Sequence, residues 1–99
     1  MPRVVLGEVR YTDEVERHIR EEHPPLTAMK VRQALVYAKS AEASWEEDPQ
    51  YGHQVAAFGT TIDGLTFKAY LHPVNQNDPD EGSFDLKTAF LVTRKTQQD

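Results

Sequence analysis

Two histidines and two arginines fall within seven residues of the segment RHIREEHPPLT (17–27), interleaved with Glu21 and Glu22 and halted by Pro24-Pro25. Imidazole moves protons near neutral pH, and guanidinium binds phosphate or carboxylate through a planar fork. His18, His23, Arg17 and Arg20 are therefore the residue types for acid/base chemistry on a phosphate. The same residues also read as the wet side of a helix, because Arg17–Glu21 and Glu16–Arg20 are spaced as i, i+4 ion pairs. His18 lies beside Ile19 and reads as a helix flank. His23 stands at the helix end, where it either caps the negative end of the dipole or faces a cleft. On a regular helix the two rings lie about 140° apart at ~100° per residue, so they cannot grip one metal ion. No His-Glu-x-x-His pattern, glycine-rich phosphate loop, nucleophile elbow or carboxylate triad occurs, and no cysteine is present. No metal and no cofactor are expected.

A second group of candidates lies on strand-like sequence. In LTFKAYLHPV (65–74), Leu65, Phe67, Ala69 and Leu71 share one face, while Thr66, Lys68, Tyr70 and His72 share the other. One face is apolar and the other carries a cation, a phenol and an imidazole. His53 lies on the strand before it. In FDLKTAFLV (84–92), Lys87 and Asp85 share parity with Ala89 and Leu91, whereas Thr88 alternates with Phe84, Leu86, Phe90 and Val92; Arg94 and Lys95 follow. Trp45, the sole tryptophan, reads as a packing residue with its indole N–H paired. A base-stacking role there is opposed by Glu46 and Glu47.

These residues need elements to hold them. VVLGEVRY (4–11) reads as a first strand, bent at Gly7. Asp13 and Glu16 have capping-box spacing at the start of a short helix, which the prolines end. Thr27 can cap a second helix over 28–41, with Ala28, Val31, Leu35 and Ala38 at helical spacing. EASWEE (42–47), HQVAAFGTT (53–61), 65–74 and 84–92 follow as strands, with Asp63-Gly64 as a hairpin signal. The expected order is β-α-α-β-β-β-β, an α+β fold in which an antiparallel sheet carries two helices on one face.

Composition bounds the partners. Ninety-nine residues suit one domain, 1–99, with one core. No apolar run approaches a membrane span or a signal peptide, and cysteine is lacking, so a cytoplasmic protein without membrane contact is expected. The net charge is −5. Residues 1–48 hold seven Lys/Arg against ten Asp/Glu, and residues 49–99 hold four against six. Bulk charge therefore opposes polyanions, and a nucleic-acid role requires a local basic patch.

Three stretches, TDEVERHIREEHPPLTAMKVRQAL, VAAFGTTIDGLTFKAYLHPV and FDLKTAFLV, occur in an order and spacing that resembles the BrnT-like toxins of the RelE/ParE superfamily. His23 matches the family's helix-end histidine, and Gly59, Gly64, Thr88 and Ala89 match its strand motifs, over residues 9–92. The resemblance implies a RelE/ParE-like fold and a metal-independent endoribonuclease, neutralised by an antitoxin or other inhibitory protein. It further implies His23 or His72 as general acid or base, with Arg17, Arg20, Lys68, Lys87 and Arg94 holding phosphate. Glu22, Leu65 and Phe90 stand where the family carries cations. The alternative is accordingly a catalytically inactive module on the same fold that inhibits or sequesters a partner protein. An acidic DNA mimic fits less well, since the carboxylates are dispersed.

Overall fold

A computed structural model describes residues 4–37, 41–50 and 52–92. Arg94, Lys95, Ala38 and Lys39 lie outside the described residues. The elements are β1 (Glu8–Arg10), α1 (Asp13–Glu22), α2 (Ala28–Arg32, continued by a π turn over Gln33–Tyr37), β2 (Glu42–Asp48), β3 (Gly52–Thr60), β4 (Thr66–Pro73) and β5 (Ser83–Leu91). A single 3-10 turn, Pro79–Glu81, precedes β5. The order of elements is the expected one, and the sheet runs β1-β5-β4-β3-β2.

The sheet is mixed, which corrects the expectation of an antiparallel one. β2 through β5 form an antiparallel meander, but β1 pairs with β5 in parallel, Val9 opposite Phe84. The meander reverses direction three times, so β5 runs opposite to β2. The helical connection from β1 to β2 reverses the chain as well, which leaves β1 and β5 pointing the same way. β1 is also shorter than the apolar run suggests. It begins at Glu8, where the amides of Gly7 and Glu8 both donate to the Gly82 carbonyl at 2.9 Å.

Local chemistry sets the helix ends. Thr12, rather than Asp13, caps α1, its hydroxyl accepting from the Val15 amide at 3.2 Å. The threonine precedes the acidic first turn and so leaves Asp13, Glu14 and Glu16 inside it, favourably placed against the helix dipole. Thr27 caps α2 in the same way through the Lys30 amide, 3.2 Å. At the end of α1, His23 leaves helical geometry (φ −135°, ψ 48°) ahead of Pro24.

Alternation on the strands and spacing on the helices build one core. Ile19, Leu26, Ala28, Val31, Ala34 and Leu35 from the helical layer bury against Val55, Ala57, Phe67, Ala69, Leu71, Phe84, Leu86 and Ala89 from the sheet. Phe67 and Leu71 on β4 are fully enclosed, and each such side chain contributes on the order of 2–3 kcal/mol of transfer free energy.

Simple parity fails on β5. Tyr70 pairs with Thr88 but Leu71 pairs with Leu86, so Lys87 is an extra residue, a β-bulge. The bulge exchanges the faces along the strand. Phe84 and Leu86 point into the core before it, and Ala89 does so after it. Phe90, expected beside Phe84 and Leu86, is thereby turned to the other side, and Lys87 is exposed.

Two glycines are dictated by their surroundings. A Cβ on Gly59 would lie 2.9 Å from the Phe67 ring and 3.1 Å from Ala41 Cβ. Gly64 has φ 89° and closes a three-residue loop, Ile62 to Gly64, in which the Thr61 amide donates to the Leu65 carbonyl at 2.8 Å. This loop is tied to the helical layer. Lys30 Nζ donates to Asp63 Oδ2 at 2.9 Å and to the Pro25 carbonyl at 3.1 Å, while the Thr61 hydroxyl donates to Asp63 Oδ1 at 2.5 Å. At the opposite end of the sheet, Gln76 replaces a backbone partner. Backbone pairing of β3 with β4 runs from Val55–Leu71 to Thr60–Thr66 and stops short of His53. The Gln76 side chain instead accepts from His53 N and donates to His53 O, both at 3.1 Å.

Gly59→Ala is expected to destabilise the fold by about 1–3 kcal/mol in urea denaturation, through overpacking against Phe67. The Thr61 hydroxyl, followed by the Lys30 ammonium, holds the Asp63 carboxyl below its ordinary value of 3.8. Asp63 therefore adds stability above about pH 3.8 that is lost as pH falls through its lower folded value. The urea midpoint of the wild type should fall more steeply on acidification than that of Asp63→Asn; parallel profiles would contradict the assignment.

Candidate functional site

The face of the sheet opposite the helices carries the chemistry, and the strand registers arrange it in rows. One row runs Arg10, Asp85, His72, Gln54, Glu46. The Tyr70 row holds Thr88, Tyr70, Ala56 and Ser44, and the Lys68 row holds Phe90, Lys68, Phe58 and Glu42. The bulge at Lys87 is what brings Phe90 into the last of these.

At the Lys68 row an aromatic strip forms around a cation. Lys68 Nζ lies 5.0 Å from the centroids of both the Phe58 and Tyr70 rings, within cation–π range. Tyr70, and to a smaller degree Glu46, raises the Lys68 pKa above the ordinary lysine value. Tyr70 meets Phe90 at 6.4 Å between centroids, and Phe90 meets His23 at 6.1 Å. The strip continues to His18, whose ring is edge-on to His23 at 6.0 Å. The expected separation of the two imidazoles assumed a regular helix through residue 23. The departure of His23 from helical geometry brings the rings together instead. Since β1 pairs only with residues 83–85 of β5, the later part of β5 has no strand on that edge among the described residues. α1 packs there, and its end delivers His23 to Phe90.

His72 belongs to a different row. Its Nε2 lies 3.3 Å from Gln54 Oε1, and Gln54 Nε2 donates to Glu46 Oε1 at 3.1 Å. Because the Glu46 carboxylate can only accept, it fixes the amide orientation, and His72 must be the donor at Nε2. His72 and Lys68 are four residues apart on β4, about 13 Å at the usual strand rise. His23 and His72 therefore share a face but occupy different rows of it.

The arginines expected to hold phosphate are not gathered on this face. Arg20 is held by Glu16 at 2.6 and 2.5 Å, the solvated i, i+4 pair. Arg17 is an exposed residue of α1. Lys87 is exposed in the bulge, and Arg94 lies outside the described residues. Arg10, which sequence reasoning passed over, is on the face but is bound to Asp85 at 3.1 Å. Two cations, Arg10 and Lys68, thus stand in these rows against three carboxylates, Glu42, Glu46 and Asp85.

Phe58 and Phe90 were also missed as members of the site. Phe58 had a signal, since it alternates with the core residues Val55, Ala57 and Gly59. Phe90 had none, because its face depends on the bulge. On β2, Trp45 packs against Phe84 at 5.9 Å and edge-on to His53 at 6.1 Å, on the helix side of the sheet. Its buried Nε1 has no hydrogen-bond partner among the described residues, contrary to the expected pairing. Among the described residues, no three His, Asp or Glu side chains converge as a metal site, and no helix is long and apolar enough to cross a membrane.

No family model matches the chain, and neither a curated protein nor a solved structure matches it.

Replacing Phe90 with leucine should perturb the ring resonances of both His23 and Tyr70 and leave those of His72 in place. Carbon–proton correlation spectra of the aromatic rings check this. A change confined to one neighbour, or reaching His72, would contradict the strip as described.

Proposed function

We propose that the open sheet face binds an unpaired RNA strand and cleaves it without metal, in the manner of a RelE/ParE-like, BrnT-type toxin held in check by a protein antitoxin. The observation that carries this reading is the continuous strip of His23, Phe90, Tyr70, Lys68 and Phe58. Bases stack on such rings with little sequence preference, and one cation lies among them. Transesterification needs a base to take the 2′-hydroxyl proton, a cation beside the phosphorane oxygens, and an acid to protonate the departing 5′-oxygen. His23 serves as the base or the acid, solvent water fills the other proton-transfer role, and Lys68 serves as the cation. Bond formation between the 2′-oxygen and phosphorus expels the 5′-oxygen, leaving a 2′,3′-cyclic phosphate and a 5′-hydroxyl. His72, held as a donor to Gln54, is set back from this strip and is the weaker candidate.

A second reading has its own support. The pairing of Arg10 with Asp85, together with the other carboxylates of the face, reduces its attraction for phosphate, and Arg20, off the face, is engaged by Glu16. The same strip would then be the contact surface of an inactive module that sequesters a protein.

Single-stranded RNA incubated with the protein in excess EDTA should be cleaved. His23→Ala should lower the rate by about a hundredfold or more, Lys68→Ala should weaken both binding and cleavage, and His72→Ala should have a smaller effect. Absence of cleavage by folded wild type, or full activity in His23→Ala, would sink the ribonuclease reading. Binding of a protein but not RNA would favour the second.

A further inference from the structure

The edge of the sheet formed by β2 borders the aromatic strip, Glu42 lying opposite Phe58, and carries a feature of its own. Among the described residues, β2 is the last strand on its side, paired along all seven residues with β3 and with no strand beyond it. Such an edge offers a row of backbone donors and acceptors to an added strand. None of the described residues hydrogen-bonds to it from outside through its backbone.

Side chains on β2 specify the chemistry of what can add. Glu42, Ser44 and Glu46 are exposed and stand on the open face, the two carboxylates four positions apart. Glu47 is exposed on the helix side, beside the half-buried Ala43 and Trp45. A second copy of the chain is disfavoured as the occupant. Antiparallel self-pairing centred on Ser44 would set Glu42 against Glu46 of the other copy, and like charges directly opposite destabilise a strand pair. Those same carboxylates complement a strand with cations at two positions four residues apart. Its intervening side chains would be small or β-branched and lie against Ala43 and Trp45. Glu46 has one oxygen engaged by Gln54 and retains acceptor capacity for such a cation.

We propose that β2 is a docking edge for a basic, extended polypeptide segment, which joins the sheet as a sixth strand with lysine or arginine opposite Glu42 and Glu46. The proposal does not rest on the RNA reading, although Glu42 and Glu46 also stand in the rows of the open face.

The test uses two acetylated, amidated peptides, Lys-Val-Thr-Val-Lys-Val-Thr and the same sequence with both lysines replaced by glutamate. Trp45 is the sole tryptophan, so its fluorescence reports binding at β2 directly. The basic peptide should change this fluorescence and slow amide exchange along Glu42–Asp48, binding about tenfold or more tightly than the acidic one. The double variant Glu42→Lys/Glu46→Lys should reverse the preference. If that variant fails to fold, Glu42→Gln/Glu46→Gln should abolish the preference while leaving the fold intact. Equal binding of the two peptides, no binding of either, or binding that leaves β2 exchange unchanged overturns the proposal. So does a wild-type dimer that protects β2.

Discussion

The alternation of side chains along β4 is the constraint from which the rest of the molecule follows. This strand lies at the centre of the sheet, and its odd residues Phe67, Ala69 and Leu71 are buried while Lys68, Tyr70 and His72 stand on the other side. Apolar surface on the odd side must be covered, and the two helices cover it. Once they do so, the even side is left with a cation, a phenol and an imidazole, and no layer of the described residues covers it. A slip of one residue in register would send Lys68 and Tyr70 into the core, where an unpaired charge is prohibitively costly. The division into a dry face and a chemical face is therefore enforced from the middle of the sheet outward.

Two departures from regularity then finish the candidate site. The bulge at Lys87 keeps Ala89 in the core while turning Phe90 to the open face. Without the extra residue, strict alternation from Phe84 and Leu86 would place Phe90 among them. The second departure is at His23, where the following proline stops the helix and the ring leaves the direction a helix would give it. Each change alone would leave the strip broken. Together they bring imidazole, two phenyl rings, a phenol and an ammonium into one sequence of contacts.

Charge organises the surface beyond the strip. The acidic balance of the chain is visible locally as pairs, Glu16 with Arg20, Asp85 with Arg10 and Asp63 with Lys30. At exposed positions such pairs add little stability. Their larger effect is on availability, since a guanidinium engaged by a carboxylate is a poorer partner for an incoming phosphate. Lys68 differs because its closest contacts are rings, with Glu46 a weaker charged influence. The carboxylates of β2 remain for partners of the opposite sign.

The sequence by itself determined the order of elements, the Thr27 cap, the end of α1 at the prolines and the two faces of β4. Each is a local matter of periodicity, proline sterics or side-chain capping. Helical spacing left Arg20 either an ion pair with Glu16 or a role in holding phosphate, and the structure forms the pair. Only the tertiary structure decided that β1 joins β5 in parallel, because that pairing spans almost the whole chain and has no local signature. It alone decided the face of Phe90, since a bulge is visible only against the partner strand. The meeting of His18 and His23, and of His23 with Phe90, likewise depended on the helix end and on the edge of β5 that α1 occupies. Residue types named the chemistry that was possible; long-range packing chose which of those residues share a surface.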